Sequence, residues 1–330
     1  MLLPIVVPAV VTLILWVLPG DPAEILCPPG VCDDEARRLL AAHLHIDRGP
    51  VAFFVHWLGN AITGDFGRSL RAFQGITVAE LLWDAIPSTV LLIVASVTLV
   101  LFASALAALG RLPRSLDAVW QGIGLVPAVI LSLVFAAVVE IRYGAASMWD
   151  LFGLWHALTA GDFGGVSDRF PTILRLVFGA ITLGVADGTL GQAVVGTRSV
   201  FEEEFKARYI QIAQLRGETG LSNALPNVTP ALIGQFRSRV LHLMSGAVIV
   251  EVVLGISGIG ELLWDGTLLQ DFLVVLAAAW AFALVSGVLL LIQAAAETAV
   301  ELYVRRAPAV PLEPLPAKVQ TTSNAAGVVV

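Results

Sequence analysis

Along the chain, long apolar runs alternate with short polar joints punctuated by glycine and proline. Six runs stand out: Leu2 to Leu18, Ser88 to Leu109, Ala118 to Val139, Pro171 to Val195, Ala231 to Gly255 and Phe272 to Ala296. Each is near the roughly 20 residues a helix needs to cross about 30 Å of hydrocarbon. The pattern predicts an all-α integral membrane protein, one polytopic unit of six transmembrane helices. Pro4 and Pro8 fall in the first turns of the first run, where missing amide donors cost least, with a kink expected at Pro8. A cleaved signal peptide is the competing reading of this start. It has neither a basic region before the apolar run nor a small-x-small cleavage site in LPGDPA, so a retained span is expected.

Composition agrees with the pattern. Apolar residues make up 57% of the chain and charged residues 14%, against about 25% charged in soluble domains, and the mean hydropathy is +0.86. The few basic residues set the expected orientation. Arg111 and Arg114 lie between runs two and three, Arg198, Lys206, Arg208 and Arg216 between four and five, and Arg305, Arg306 and Lys318 after six. Those sides are expected to be cytoplasmic, with both termini. The opposite loops agree, since Glu140 to Phe170 carries only Arg142 and Arg169, and Ile256 to Asp271 has no Lys or Arg. The segment Asp21 to Pro87 holds five arginines but is long enough to translocate regardless of charge. A net charge of -7 gives no sign of nucleic-acid binding.

Cys27 and Cys32, in CPPGVC, fall on the expected outer side, where disulfides persist, and are a candidate local bridge closing a small ring. A metal site would need more ligands than these, and the nearby His43 and His45 read as solvated helix histidines. The proline-rich tail 307–330 reads as a flexible cytoplasmic extension to a permease-sized unit, 1–306. Motifs for chemistry are missing. There is no G-x-x-x-x-G-K-[ST] phosphate loop, and neither lysine, Lys206 or Lys318, follows a glycine. LGISGIGEL, from Leu254, has Ile259 where a nucleophile elbow needs its second glycine, and no HExxH occurs. Transport, channel or scaffold functions are left.

The joint 197–230 is the most polar. Phe201, Phe205, Tyr209 and Ile212 recur at three- and four-residue spacing among Glu202 to Glu204, Lys206 and Arg208, which predicts one amphipathic helix from Phe201 to Leu215. Gly217 and Gly220 are expected to break it, with Ser222 or Asn223 capping a second short helix before Pro226 and Pro230. Such a helix, turn and helix serves equally as a solvated connector or as a docking surface for a soluble partner.

This joint resembles the EAA loop of binding-protein-dependent ABC importer permeases, whose pattern is E-A-A, three residues, G, nine residues, I-x-L-P. Gln211, Ile212 and Ala213 stand for the triplet, Gly217 for the glycine, and Leu225 and Pro226 for the final pair. Other blocks resemble the oligopeptide, dipeptide and nickel branch of that family. They are LPGDPAE from Leu18, LHIDRGPVAFFVHWLGNAITGDFGRSL from Leu44, VAELLWDAIPSTVLL from Val78, TRSVFEEEF from Thr197 and GAVIVEVVLGISGIGELLWDG from Gly246. Their order holds along nearly the whole chain to about Arg306.

The resemblance implies the type I importer permease fold, like that of the methionine importer, in the cell membrane, with an external segment 21–87 and a cytoplasmic coupling loop 197–230. It implies a non-catalytic chain that forms the solute pathway for a di- or oligopeptide or nickel-type solute and binds no cofactor of its own. ATP and Mg would be held by two cytoplasmic ATPases, beside a second permease subunit and an extracytoplasmic solute-binding protein. The coupling helix, with Tyr209, would sit on an ATPase and act as a lever between inward- and outward-facing states. Gly217 would permit a tight turn or a close approach. Two departures bear on that lever. Leu225 and Pro226 follow Gly217 by eight and nine residues rather than twelve and thirteen, a shortfall of about one helical turn, and Gln211 replaces the glutamate. An ATPase matched to this shorter loop is expected. The start also lacks the basic leader of the family, so an upstream start is expected.

Asp187, Arg237, Arg239, His242 and Glu251 lie within the predicted spans. A charge at mid-bilayer costs on the order of 3 kcal/mol on insertion scales, so each needs a cavity or a partner. Asp187, Arg237, Arg239 and Glu251 are candidates for the translocation path. Snorkelling is the alternative for the arginines and a structural pairing for the acids, with binding-protein contact a further role for Glu251. The same acids would serve an ion-coupled secondary transporter or channel, and a membrane scaffold would show no flux.

Overall fold

The computed structural model describes residues 2–17, 23–24, 33–143, 172–217 and 219–306. Among these the chain is helical, with one isolated bridge between Arg68 and Thr77 outside the helices. Cys27 and Cys32, most of the loop after the third apolar run and the proline-rich tail lie outside the described residues.

Helix α1 (Leu3–Val17) is followed by two helices of the segment expected outside, α2 (Asp34–His43) and α3 (Pro50–Ile62). Their starts are written in the sequence. Asp33 caps α2 by accepting from Ala36 N at 2.8 Å, and Gly49 at φ +93° turns the chain so that Pro50 occupies the first turn of α3. Next comes α4 (Val78–Ala108), capped by Thr77 with Glu80 three residues on. A kinked pair follows, α5 (Asp117–Ile123) and α6 (Ala128–Tyr143). Helices α7 (Thr172–Val185) and α8 (Thr189–Phe205) are two halves of one run. A short α9 (Arg208–Leu215) precedes α10 (Gly220–Leu254), α11 (Ile259–Leu268) and α12 (Phe272–Arg306).

Three helical stretches are long and apolar enough to cross a membrane: Val78–Ala108, Arg175–Phe205 and Phe272–Leu302. Two bent pairs, Arg114–Ile123 with Ala128–Ala137 and Asn223–Leu254 with Ile259–Leu268, bring the number to five. The first expected span, α1, has 15 residues and rises about 22 Å, short of the hydrocarbon thickness. The six-span expectation therefore meets three to five candidates among the described residues. Boundaries differ as well, and α8 ends at Phe205 rather than Val195 and α12 at Arg306 rather than Ala296. Helix α4 begins ten residues before Ser88, and α10 begins at Gly220 rather than Ala231, carrying Pro226 and Pro230 within its first turns. No separate short helix precedes those prolines, and Thr219, not Ser222 or Asn223, takes the cap position.

Burial ranks the spans. In Arg175–Phe205, 61% of the most apolar window is buried, against 28% in Val78–Ala108 and 39% in Phe272–Leu302, so the α7–α8 run is central and the other two are peripheral. Large apolar side chains such as Leu91, Phe102 and Ile292 are exposed on those peripheral helices, as a lipid-facing surface requires. One core joins α1, α3 and α4 to α11 and α12 through Leu15, Phe53, Trp57, Leu82, Ile259 and Leu276. A second joins α4, α7 and α10 through Leu92, Leu183, Leu243 and Val250. The two basic joints lie at one end of the bundle, where Arg198 bonds Asp117 and the Leu112 carbonyl and Arg114 bonds Glu202.

The block GDFGRSL has a clear structural use. Asp65 accepts from Gly67 N at 3.0 Å, and Gly67 takes φ +85°. That turn delivers Ser69 Oγ and the amides of Leu70, Arg71 and Ala72 to one oxygen of Asp271, at 2.7, 2.9, 2.9 and 3.2 Å. Asp271 and Ser69 are both buried. A carboxylate at the start of α12 thus pins the turn 65–72 to the bundle, 202 residues away in sequence from Ser69.

Candidate functional site

The polar joint folds as a hairpin of three helices. The amides of Lys206 and Ala207 bond the carbonyls of Glu203 and Glu204, tightening the end of α8. Ala207 then turns extended, with ψ 138°, and α9 starts at Arg208. The expected continuous helix from Phe201 to Leu215 is therefore broken at Lys206–Ala207. The break shifts the helical phase. Ile210 and Ala213, not Ile212, turn inward, and Ile210 packs with Phe201, Ala224 and Val228. Ile210 is 0% exposed, whereas Ile212 is 51% and Leu215 89% exposed.

Three side chains hold this hairpin. The Tyr209 hydroxyl donates to Glu204, while Asn227 Nδ2 donates to Tyr209 at 2.7 Å and to Glu204 Oε1 at 3.1 Å, linking α8, α9 and α10. Burial, then the bond to Glu204, pushes the Tyr209 phenol above its ordinary value. Gly217 closes the hairpin at φ +84°, and a side chain there would meet nothing within 4 Å. The tight turn, not a close approach, is what requires glycine. Gln211 is exposed beside Ile212 and Leu215, Leu225 is exposed and Pro226 half-buried in the second turn of α10. Pro230 also stands thirteen residues after Gly217, at the family distance, but behind Thr229 rather than leucine. The outward surface of α9 is thus a short apolar face, Ile212 and Leu215, rimmed by Arg208, Gln211 and Arg216.

A second polar cluster sits inside the spans. The α7–α8 run breaks at 186–188, where Asp187 adopts φ +53° and Gly188 φ +77°. The kink of α5–α6, bent by 89°, crosses at this break, with Asp187 N bonded to Val126 O at 3.2 Å. The crossing needs glycine, because a Cβ on Gly124 would lie 2.5 Å from Gly188 Cα. Asp187 Oδ2 is 3.7 Å from His242 Nε2. One turn along α10, Arg239 donates to Gln192 O at 2.9 Å and to Gln235 Oε1 at 3.2 Å. Gln235, Arg239 and His242 follow i, i+4, i+7 spacing and form one stripe on α10 facing the break.

Glu251 is elsewhere. Nine residues beyond His242, it faces the opposite side of α10 by helical period. It is 0% exposed and accepts from Gly260 N at 2.6 Å, at the corner between α10 and α11. A Cβ on Gly258 would lie 2.4 Å from its carboxyl carbon, so the carboxyl fills that corner. The candidates Asp187 and Arg239 thus meet along one stripe of α10, Asp187 through His242 and Arg239 on the stripe itself, and Glu251 belongs to another place. The side chain of Arg237 lies outside the described residues. His43 is exposed, but His45, at φ +59°, is off the helix and stacks on His56 with ring centroids 4.3 Å apart. No cluster of three His, Cys, Asp or Glu suited to a metal occurs among the described residues.

The chain is 27% identical over 279 residues to the oligopeptide transport system permease protein AppB of Bacillus subtilis (strain 168), covering 80% of this chain and 83% of that one. It is 26% identical over 294 residues to the glutathione transport system permease protein GsiC of Escherichia coli (strain K12), covering 84% and 87%. The same identity and coverage hold for GsiC of Shigella boydii serotype 4 (strain Sb227). No family model matches the chain.

Proposed function

We propose that this chain, whose homologues are ABC transporter permeases of the peptide and nickel type, is the membrane-spanning permease subunit of an ATP-driven importer of short peptides. In this reading α1 completes a six-span type I fold in the cell membrane, with both termini and α9 on the cytoplasmic side. The chain binds no cofactor of its own. ATP and Mg belong to two ATPase partners, a second permease subunit completes the pathway, and an extracytoplasmic binding protein delivers the solute.

The observation that carries the reading is the exposed face of α9. Leu215 and Ile212 stand out from a hairpin whose inner face is packed and whose ends are fixed by the Glu204–Tyr209–Asn227 bonds and the Gly217 turn. A rigid, apolar-tipped helix is suited to seating in a groove of a soluble partner and passing its motion to α8 and α10. The test is Leu215→Glu, made alone and with Ile212→Glu, in cells expressing the whole transporter. Loss of ATPase association at normal membrane levels is expected, with ATP-dependent uptake falling at least tenfold. Full association of the double variant would overturn the docking assignment.

A second reading, ion-coupled transport, is favoured by one feature, the Asp187–His242 pair beside a broken span. Energy source separates the two. Uptake driven by a proton gradient without ATPase subunits would select it.

A further inference from the structure

By helical period, α3 divides into three sectors. Phe53, Trp57 and Ala61 are buried. His56 and Asn60 form a polar sector, and the His56 ring stacks on His45 and stands edge-on to His43, with centroids 6.3 Å apart, so this side is turned to the end of the polar helix α2. The third sector is apolar and open among the described residues. Val51, Val55 and Ile62 are 74%, 61% and 74% exposed along one line, with half-buried Leu58 between them. Single exposed aliphatic residues are ordinary, but a straight stripe of them beside a separate polar sector marks a surface that water does not cover.

The surroundings of the stripe are those of a bilayer surface. Trp16 lies against Phe53 with ring centroids 5.4 Å apart, so α3 stands at the outer end of α1, on whose last turns Leu13, Ile14 and Val17 are exposed. That helix falls about 8 Å short of the hydrocarbon thickness, and α3 is the element packed at the short end. Trp83, 75% exposed on α4, follows Leu82, which shares one core with Phe53 and Trp57. Open indoles concentrate at the headgroup level of a bilayer, which sets α3 at the same level.

We propose that α3 is an interfacial helix moored on the outer leaflet, with Val51, Val55, Leu58 and Ile62 sunk at the acyl-chain boundary and His56, Asn60 and α2 toward water. The partner of the stripe is bilayer lipid. This inference rests on the chain crossing a membrane with 21–87 outside, and not on what drives transport or what is carried. It makes part of the outer segment a membrane-bound element that supplies, at the end of α1, the apolar depth which that short helix lacks.

The test places nitroxide labels on single cysteines of the full chain carrying Cys27→Ser and Cys32→Ser, in phosphatidylcholine nanodiscs. Power saturation is read with oxygen, which concentrates in lipid, and with a water-soluble nickel chelate. Labels on Val55→Cys and Ile62→Cys should be relaxed by oxygen over chelate by about threefold or more, at a depth of about 5–10 Å into the headgroup and acyl boundary. A label on Thr63→Cys, next to Ile62 but on the polar side, should show the reverse preference. These positions and Leu91 are all exposed, so the labels replace no packing. Chelate relaxation at the two stripe positions as strong as at Thr63→Cys would overturn the proposal, because the stripe then faces water. Protection from both reagents would overturn it as well, because protein then covers the stripe. Leu91→Cys, within the α4 span, separates the two levels of the account. Oxygen relaxation there without it in the stripe removes the mooring alone, and chelate relaxation there removes the membrane placement on which the mooring rests.

Discussion

Asp271 accepts four hydrogen bonds on one oxygen from Ser69, Leu70, Arg71 and Ala72, and it is buried. Removing that acceptor strands the buried Ser69 hydroxyl and three half-buried amides, so Asp271→Ala should destabilise this segment by about 3 kcal/mol or more. Ser69→Ala should cost roughly 1 kcal/mol, both read by thermal unfolding in detergent. The histidines of the same segment give a pH signature. Burial, then His45 and His43, hold His56 below the ordinary histidine value. The neutral ring is therefore favoured in the folded state, and the stability it contributes is present above about pH 6.5 and lost as pH falls through its lowered value. Faster hydrogen exchange in α2 and α3 on acidification below about pH 6.5 is expected, and His56→Gln should flatten that dependence. Neither residue was legible as important beforehand. Asp271 is one acid at a helix start, and only the fold brings the Ser69 turn to it.

At the scale of elements, apolar runs placed every span candidate, because burial in lipid or in a central bundle leaves the same unbroken signature. Boundaries and breaks were less legible. The stripe Phe201, Phe205, Tyr209, Ile212 fitted one helix, yet two tightened bonds and an extended Ala207 restart the phase and expose Ile212. Asp187 gave no sign of a break beyond its glycine neighbour, since the cause is the α5–α6 kink crossing it. Two variants check these joints. Gly124→Val places a side chain against the Gly188 backbone and should lower the melting temperature and membrane yield sharply, whereas Gly122→Val, with open space around it, should not. Gly217→Val forces a β-branched residue to φ +84° and should reduce ATPase association without disturbing the spans, because nothing else packs there.

For the whole molecule, the resemblance of scattered blocks to peptide-type permeases agrees with relatives 26–27% identical over most of the chain. The physics behind several blocks is now specific. GDFGRSL makes the turn that Asp271 clamps, Gly258 and Gly260 make room for Glu251, and TRSVFEEEF ends α8 with the acid that Tyr209 bonds. The candidate coupling residues share one hairpin, while the described ionisable candidates divide between the Asp187 break and the Glu251 corner. These parts describe a bundle whose central broken run, α7–α8, leads directly into the hairpin that offers α9 outward. Motion of α9 would then reach the Asp187 break through the 17 residues of α8. The most direct test is peptide uptake into proteoliposomes carrying the purified complex, compared with ATP, with a proton gradient, and with ATP in Leu215→Glu. Uptake with ATP alone is expected, and its loss in Leu215→Glu. Uptake driven by the proton gradient, or ATP-driven uptake unchanged in Leu215→Glu, would contradict it.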